Sequence, residues 1–351
     1  MGFPVIENAT PFAFEPLFLS DEEARPLLVP LLKATYAIGE DGLIVAEEQV
    51  PVELAGQFNG EPGESSYRSE PECAFVKPAT DVVLIGHAHP AEVSATEVLV
   101  AFQVGSVRKG VRVIGDRVFF RNLGGVGISK PAPLQPTPLV WERAFGGWDR
   151  RHPDPAKHAC EPRNPVGVGF RCEGSPLEDG SPLPNLEDPA EPILAWGQRV
   201  APAGFGFVSP HWQPRAAWAG TYDAAWEASR APLLPRDFDR RFMNGAPPGL
   251  IAQGYLKGDE PVAVAGASPD GRLAFRLPGL PPPEVRASFA VGQDRAIPMR
   301  LDTVIIDTDA RQVLLLWRGS TQLREGPRDV RSISIACGPF KSGAAAGGKA
   351  T

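Results

Sequence analysis

The sequence predicts a mainly β protein in which two antiparallel, sandwich-like β regions are joined by a long irregular layer with few short helices. The chain of 351 residues contains 39 prolines and 37 glycines, and each interior proline costs a helix about 3 kcal/mol. Short β-branched runs concentrate towards the two ends, whereas six of the seven tryptophans lie between Trp141 and Trp226. This distribution argues against a helical bundle.

These observations divide the chain into four segments. An acidic N-terminal β region covers residues 1–130, an irregular Pro/Gly/Trp-rich layer covers residues 131–250, and a C-terminal β region covers residues 251–340. We expect the C-terminal region to pack with the other two. Residues 341–351 are rich in small side chains, and we expect a disordered tail there.

The N-terminal region has the clearest strand patterns. Leu27–Ile38 is a long apolar run typical of a buried strand, and Gly39–Gly42 follows it as a turn. A second, shorter buried strand is predicted at Asp81–Gly86. Alternating apolar and polar residues then predict three closely spaced strands, at Val98–Val104, Val107–Ile114 and Arg117–Asn122. Gly115 and Asp116 fit a hairpin turn between the last two.

The middle region shows little periodicity. Only Thr221–Arg230 suggests a short helix, which Pro232 would end. Because so long a segment cannot be a structureless loop in a compact domain, we expect an ordered layer that covers a sheet and buries its tryptophans.

Strand patterns return in the C-terminal region, with a turn at Ser268–Gly271. The predicted strands are Val262–Val264, Leu273–Leu277, Val285–Val291, Leu301–Asp307 and Gln312–Arg318.

The net charge of −7 is unevenly distributed. Residues 1–100 hold 17 acidic and 4 basic side chains, whereas the remaining residues hold 25 acidic and 31 basic ones. This pattern is typical of a solvated acidic face, but it also fits a bipolar molecule that holds two partners of opposite charge. The basic residues are scattered, so we expect no nucleic-acid partner.

The sequence indicates a cytoplasmic protein. No apolar run approaches the roughly 20 residues of a membrane-spanning helix, and the N-terminus lacks the basic patch and apolar core of a signal peptide. The four cysteines are widely spaced, which favours reduced thiols over a disulfide framework. We therefore expect no membrane partner.

The segment Trp141–Gly147 (Trp-Glu-Arg-Ala-Phe-Gly-Gly) is the most informative motif. On a strand, Glu142 and Arg143 would point to opposite faces and reach different partners. Gly146 and Gly147 permit a close backbone approach. Two interpretations stay open: a structural clamp, or a catalytic acid beside an anion-binding arginine.

Other chemistry is weakly indicated. No phosphate-binding loop or nucleophile elbow is present. The pair His87 and His89, and the set His158, Cys160 and Cys172, lack the remaining ligands of a metal site. We therefore expect no metal, cofactor or catalytic residue. The alternative is a hydrolase of carbohydrate or cell-envelope material that uses two close carboxylates of the central region. Its candidate carboxylates are Glu142, Glu187 and Asp237.

Several further motifs occur in series along the chain. They are Lys33–Thr35, Lys77–Gly86, Trp141–Gly147, Asn164–Phe170, Leu183–Glu187, Arg215, Ala219–Tyr222, Trp226, Pro235–Asp239 and Gly258–Glu260. In this order they resemble an uncharacterised family known as domain of unknown function 2169, up to roughly residue 320.

The resemblance implies a bacterial cytoplasmic protein encoded near type VI secretion genes. It further implies an adaptor or chaperone that binds a secreted effector and helps load it onto the spike protein, of the valine-glycine-repeat or PAAR type. No catalytic residues are established for the family, so the resemblance favours a protein that is not an enzyme. A rigid scaffold suits this role because it loses little entropy when it binds.

The motif residues are assigned mostly structural roles. Lys77 and Asp81 flank the start of a buried strand, and Asn164 and Asn185 are expected to bond loop backbone. The full structural set is Lys77, Asp81, Glu142, Arg143, Gly146, Gly147, Asn164, Asn185, Glu187, Arg215, Asp237 and Asp239. Asp237 and Asp239 are expected to pair with Arg240 or Arg241. Tryptophan dominates binding hot spots, and the candidate binding residues are Trp212, Trp218 and Trp226, with a position in the core as the open alternative for each.

Overall fold

The computed structural model describes residues 4–338, and this part of the chain is mainly β, as predicted. The predicted tail at residues 341–351 lies outside the described residues. In the N-terminal part the strands are β1 (Val5–Asn8), β2 (Ala13–Ser20), β3 (Pro26–Gly39), β4 (Gly42–Val45), β5 (Gln57–Phe58), β6 (Tyr67–Ser69), β7 (Asp81–Ile85), β8 (His87–Ala88), β9 (Glu97–Val104), β10 (Val107–Ile114), β11 (Val118–Asn122) and β12 (Gly125–Ile128).

The middle region contains very short strands and helices, because its prolines and glycines interrupt regular hydrogen bonding. Its strands are β13 (Thr137–Pro138), β14 (Phe145–Gly146), β15 (Trp148–Asp149), β16 (Ala159–Cys160), β17 (Val168–Gly169), β18 (Ser181–Pro182) and β19 (Leu186–Glu187). Its helices are α1 (Ala224–Ser229) and the 3₁₀ turns Trp141–Arg143, Pro155–Lys157, Arg215–Trp218 and Arg240–Met243. Asp223 caps α1 by accepting a hydrogen bond from the Trp226 backbone.

All five C-terminal strands predicted from the sequence are present, and three further strands, at Arg295–Ile297, Thr321–Gln322 and Val330–Ala336, were not predicted. The strands are β20 (Pro261–Ala265), β21 (Arg272–Arg276), β22 (Glu284–Phe289), β23 (Arg295–Ile297), β24 (Arg300–Asp307), β25 (Gln312–Arg318), β26 (Thr321–Gln322) and β27 (Val330–Ala336). A 3₁₀ turn, Pro327–Asp329, precedes β27.

Strands from both ends of the chain share the main sheets. The largest sheet has the order β2-β3-β25-β24-β7, with β4 and β26 also paired to β3, and a five-stranded sheet has the order β19-β10-β9-β20-β21. A third sheet has the order β1-β27-β22-β23. The N- and C-terminal β regions are therefore joined by backbone hydrogen bonds.

Not every strand pair is antiparallel. β7 runs parallel to β24, with Asp81 opposite Thr303, and β1 runs parallel to β27. These partners lie far apart in the sequence. Because no hairpin links them, the connection imposes no antiparallel direction.

The predicted hairpin turn at Gly115-Asp116 is wrong. β10 pairs with β9 and β19, whereas β11 pairs with β12 and β18. Gly115 instead passes so close to Ala132 that a Cβ atom would lie 1.9 Å from its carbonyl oxygen. Asn185 holds this crossing by donating to the Ile114 carbonyl and to Asp116 Oδ1.

The irregular layer contributes to the main hydrophobic core. Trp141, Phe205, Phe207 and Trp212 are buried together with residues of the large sheets. A second, smaller core lies mainly within the layer around Phe145 and also contains Phe119 of β11. Burial of these rings explains how so many prolines and glycines can remain ordered.

Candidate functional site

The first cluster of motif residues is a buried ion network around Lys77. Lys77 Nζ lies 2.7 Å from Glu70 Oε1, 2.7 Å from Asp81 Oδ2 and 3.1 Å from Thr303 Oγ1. Burial lowers the pKa of Lys77, but the two carboxylates outweigh this effect, and the net shift is upward. The ammonium group is therefore held charged in the interior.

Arg215 connects this network to the irregular layer. Its Nη1 lies 3.0 Å from Glu70 Oε2 and 2.6 Å from the Val208 carbonyl oxygen. Burial raises the pKa of Glu70, but Lys77 and Arg215 more than offset this and hold it below its usual value. Asn244 Nδ2 donates to Asp81 Oδ1 at 2.9 Å. Because the network links all three regions of the chain, it is the structural clamp between them.

A second buried clamp surrounds Glu187. Its Oε1 lies 2.6 Å from Arg117 Nη2, and its Oε2 lies 3.0 Å from Arg112 Nη2. Glu187 is 2% exposed. Both oxygens are thus occupied by arginines, so this carboxylate is not free to take part in acid–base chemistry.

The Trp141–Gly147 motif does not begin as a strand. Trp141–Arg143 forms a 3₁₀ turn, and only Phe145–Gly146 is extended. Glu142 and Arg143 nevertheless reach different partners, as predicted. Glu142 accepts from the Ser66 backbone at 2.6 Å and from Ser66 Oγ at 2.9 Å, whereas Arg143 Nη1 donates to Asn185 Oδ1 at 3.0 Å.

The two glycines of this motif make the predicted close approach. A Cβ on Gly146 would lie 2.1 Å from the Asn164 carbonyl oxygen, and one on Gly147 would lie 2.2 Å from the Gly167 carbonyl oxygen. Asn164 Nδ2 donates to the carbonyls of Trp141 and Phe145, at 2.8 and 3.0 Å. Asn164 therefore bonds loop backbone, as predicted.

A cavity of about 350 Å³ lies between residues 59–68, the end of β7, β8 and the Trp141–Arg143 turn. We call it the Glu142 cavity. Tyr67, Ile85 and Trp141 contribute to its apolar walls. His87 also lines it, and its Nδ1 lies 2.7 Å from Asp309 Oδ2. Small-molecule pockets typically measure about 300–1,000 Å³, so this cavity has the size of a small binding site.

The carboxylates of the hydrolase alternative have separate partners. Asp237 accepts from Thr221, whereas Glu142 bonds Ser66 and Glu187 bonds two arginines. Asp239 pairs with Arg241 at 2.6 Å, as predicted, but Asp237 has no ion-pair partner among the described residues. Of the three carboxylates, only Glu142 lines the Glu142 cavity.

The three candidate binding tryptophans have different surroundings. Trp212 is 1% exposed and packs edge-on against Trp141, so its assignment as a surface contact is corrected to a core role. Its side chain is large and almost wholly apolar, which favours burial. Trp218 and Trp226 are half-buried. The Arg241 guanidinium lies 5.0 Å from the centre of the Trp218 ring.

Within residues 4–338, no group of three or more His, Cys, Asp or Glu residues is arranged to hold a metal ion. His158 Nε2 contacts the His152 carbonyl oxygen rather than a cysteine. All four cysteines are free thiols. In the same described range, no helix combines the length and apolar character needed to cross a membrane.

Sequence reasoning missed several partners in these clusters. Glu70, which bonds Lys77, was not predicted. Ser66 bonds Glu142 from 76 positions away, and Asn244 bonds Asp81 from 163 positions away. Asp309 reaches His87 across 222 positions. Such pairings have no local sequence signal, because they join segments that only the tertiary fold brings together.

Comparison with known proteins supports the resemblance in the sequence. No curated protein and no solved structure matched the chain. The model of one protein family, described as an uncharacterized protein conserved in bacteria (DUF2169), matches residues 23–318. That range contains Lys77, Glu142, Glu187 and Arg215, the residues at the centre of both clamps and of the cavity. The chain therefore belongs to this bacterial family, DUF2169.

Proposed function

We propose that this protein is a non-catalytic adaptor or chaperone of a type VI secretion system. In this role it binds a secreted effector in the bacterial cytoplasm and helps load it onto a spike protein of the valine-glycine-repeat or PAAR type. The observation that carries the proposal is a set of aromatic–arginine pairs displayed on the rigid irregular layer.

These pairs have the chemistry of protein-binding hot spots. Trp148 is 46% exposed, and the Arg150 guanidinium lies 4.8 Å from its ring centre. The half-buried Trp218 lies under Arg241, a side chain that is 61% exposed. Tyr222 is 53% exposed and packs against Trp226. Tryptophan, tyrosine and arginine dominate interface energetics, so these groups are suited to contact a partner.

The layer that carries these side chains is rigid by construction. Arg215 and Asn164 bond backbone carbonyls within it, and Trp141 Nε1 donates to the Phe207 carbonyl at 2.9 Å. A surface that is already ordered loses less conformational entropy on association. This favours a role in holding another protein.

The hydrolase alternative is less well supported. It requires two carboxylates facing each other across an open pocket, at about 5–9.5 Å. Glu187 is enclosed between Arg112 and Arg117, and Asp237 bonds Thr221. These contacts favour structural roles for both.

The test is affinity purification of the full chain from its native bacterium, with mass spectrometry of the associated proteins. We expect a spike protein, or a toxin encoded nearby, to co-purify with the wild type. Trp218→Ala is expected to weaken the affinity for the partner by about thirtyfold or more, and so to reduce that recovery, since hot-spot truncations cost about 2 kcal/mol or more. Phe120→Ala removes an exposed aromatic ring outside the layer and serves as the matched control.

Two results would contradict the proposal. One is the absence of any spike or effector protein from the purified material when the corresponding genes are expressed. The other is turnover of cell-envelope carbohydrate by the purified protein that is lost in Glu142→Gln. Either outcome would favour the hydrolase alternative.

A further inference from the structure

We propose that the Glu142 cavity is a binding site for an ammonium or guanidinium group carried on an apolar stem, such as the side chain of arginine or lysine. This inference concerns a different surface from the exposed tryptophans, and it holds whether or not the chain acts in secretion.

The first observation is that Glu142 has no basic partner within residues 4–338. In that range its two oxygens accept hydrogen bonds only from the backbone and hydroxyl of Ser66. Ser66 is itself held by Asn59, whose Nδ2 donates to Ser66 Oγ at 2.9 Å. The adjacent Arg143 is directed to Asn185 instead. Among the described residues, the half-buried carboxylate of Glu142 therefore remains without a counter-ion.

Motif carboxylates that are buried more deeply than Glu142 are neutralised. Asp81 lies beside Lys77, and Glu187 lies between Arg112 and Arg117. Removing a carboxylate from water is costly unless a cation accompanies it. The difference at Glu142 indicates that its cation comes from a bound molecule.

The remaining charges around the cavity also favour a cation. Asp309 lines it, and its carboxylate accepts from the His87 backbone and contacts the His87 ring, its partners in the described part of the chain. Arg68 lines the cavity as well, but its Nη2 bonds Asp307 at 3.1 Å. With His87 counted as neutral, the lining residues carry two negative charges and one positive charge, and this balance favours a cation as the ligand.

The walls define the rest of the ligand. Tyr67, Ile85, Leu139 and Trp141 offer apolar or aromatic surface on the way to Glu142. An aliphatic stem buries apolar area against such walls, while aromatic faces attract cations. The volume of about 350 Å³ is sufficient for one side chain and too small for a folded element.

The experiment is isothermal titration calorimetry of the full chain with N-acetyl-arginine amide and with N-acetyl-citrulline amide. The two probes have nearly the same shape, but only the first is charged. We expect saturable 1:1 binding of the arginine probe, and binding of the citrulline probe weaker by about tenfold or more, because a charged hydrogen bond is lost.

The variant Glu142→Gln removes the charge but keeps an oxygen that can accept from Ser66. It is expected to weaken binding of the arginine probe by about tenfold or more. Glu64→Gln removes an exposed charge from the loop that carries Ser66 and should leave the affinity within about twofold. Asp309→Asn changes the second carboxylate that lines the cavity and is also expected to weaken binding of the arginine probe. It provides an independent test if Glu142→Gln proves unstable in thermal unfolding.

Two further probes distinguish the source of the cation. Agmatine represents a free organic cation, and a blocked Ala-Arg-Ala peptide represents a protein side chain. Tighter binding of the peptide assigns the site to a protein partner, whereas tighter binding of agmatine assigns it to a free cation. Equal affinity for the arginine and citrulline probes, an unchanged affinity in Glu142→Gln, or no saturable binding of any cationic probe would overturn the proposal.

Discussion

Lys77 Nζ and Asp81 Oδ2 lie 2.7 Å apart in the interior, with side-chain exposures of 4% and 0%. Asp81 is the first residue of β7 and also accepts from the backbone of Gly245 in the irregular layer. One ion pair thus positions a central strand and fastens the layer over it.

We expect Asp81→Asn to destabilise the fold by about 3–5 kcal/mol, because the substitution leaves the buried ammonium of Lys77 with one carboxylate instead of two. The matched control is Asp270→Asn, which removes a carboxylate from an exposed pair with Arg311 and should cost less than about 1 kcal/mol. Urea unfolding of both variants measures the difference. Equal costs would show that the buried network does not hold the layer to the sheet.

Gly147→Ala is expected to destabilise the protein by about 2 kcal/mol or more, because it combines a strained backbone with a clash. Gly147 has φ +91°, and its Cβ would lie 2.2 Å from the Gly167 carbonyl oxygen. Gly174→Ala is the control: Gly174 has φ +73°, but its Cβ would meet nothing within 4 Å. Thermal unfolding should show a clearly larger loss for Gly147→Ala. Similar losses would indicate that the backbone conformation alone decides the cost.

Asp149 should make stability depend on acid pH. Hydrogen bonds from Arg151, then from the Cys172 backbone and Ser175, outweigh burial and hold the pKa of Asp149 well below its usual range. An unfolded aspartate has a pKa of about 3.9. The stabilisation is therefore complete above that pH and is lost as the pH falls through the lower, folded pKa.

The variant Asp149→Asn tests this dependence. At neutral pH we expect the free energy of unfolding of the wild type to exceed that of the variant by about 2–4 kcal/mol, since the variant loses several charge-assisted hydrogen bonds. The gap should narrow as the pH falls below about 4. Urea midpoints at neutral and acid pH measure it, with the exposed Glu178→Gln as control. A gap that stays constant with pH would contradict the shifted titration of Asp149.

Lys109 should react with amine-modifying reagents at a lower pH than an ordinary lysine does. It lines a mainly apolar cavity of about 480 Å³ with Pro202, Val208 and Pro248, and burial lowers its pKa to about 8. An ordinary lysine has a pKa of about 10.4. Trace acetylation followed by mass spectrometry should give a pH–rate curve for Lys109 with a midpoint near pH 8. A curve that rises only above about pH 10, as for an ordinary lysine, would contradict this.

Much of the fold follows from local patterns. The run at Leu27–Ile38 predicts β3 because it is apolar and β-branched, and the alternation in Val98–Val104 predicts β9. The short α1 was also predicted from its local composition. Pairing was not predictable in this way. β11 does not pair with β10, because Asn185 and Ala132 occupy the place where a hairpin partner would lie.

The candidate sites were predictable only in part. The side chains of Glu142 and Arg143 were expected to reach different partners, and they do, but from a 3₁₀ turn rather than from a strand. The sequence left Trp212 open between a binding surface and the core, and packing against Trp141 places it in the core. An aromatic ring in a proline-rich segment has no periodic neighbours, so its burial has no local signal.

By itself, the sequence determined the β-rich composition of secondary structure, the irregular middle layer and the motif residues, because strand propensity and turn chemistry act between near neighbours. The tertiary structure alone decided which strands share a sheet and which carboxylates acquire arginine or lysine partners. It also decided that Glu142 lines a cavity and has no such partner among residues 4–338. Those outcomes depend on contacts between residues far apart in the chain, such as Ser66 with Glu142 and Arg68 with Asp307, whose geometry exists only once the sheets have assembled.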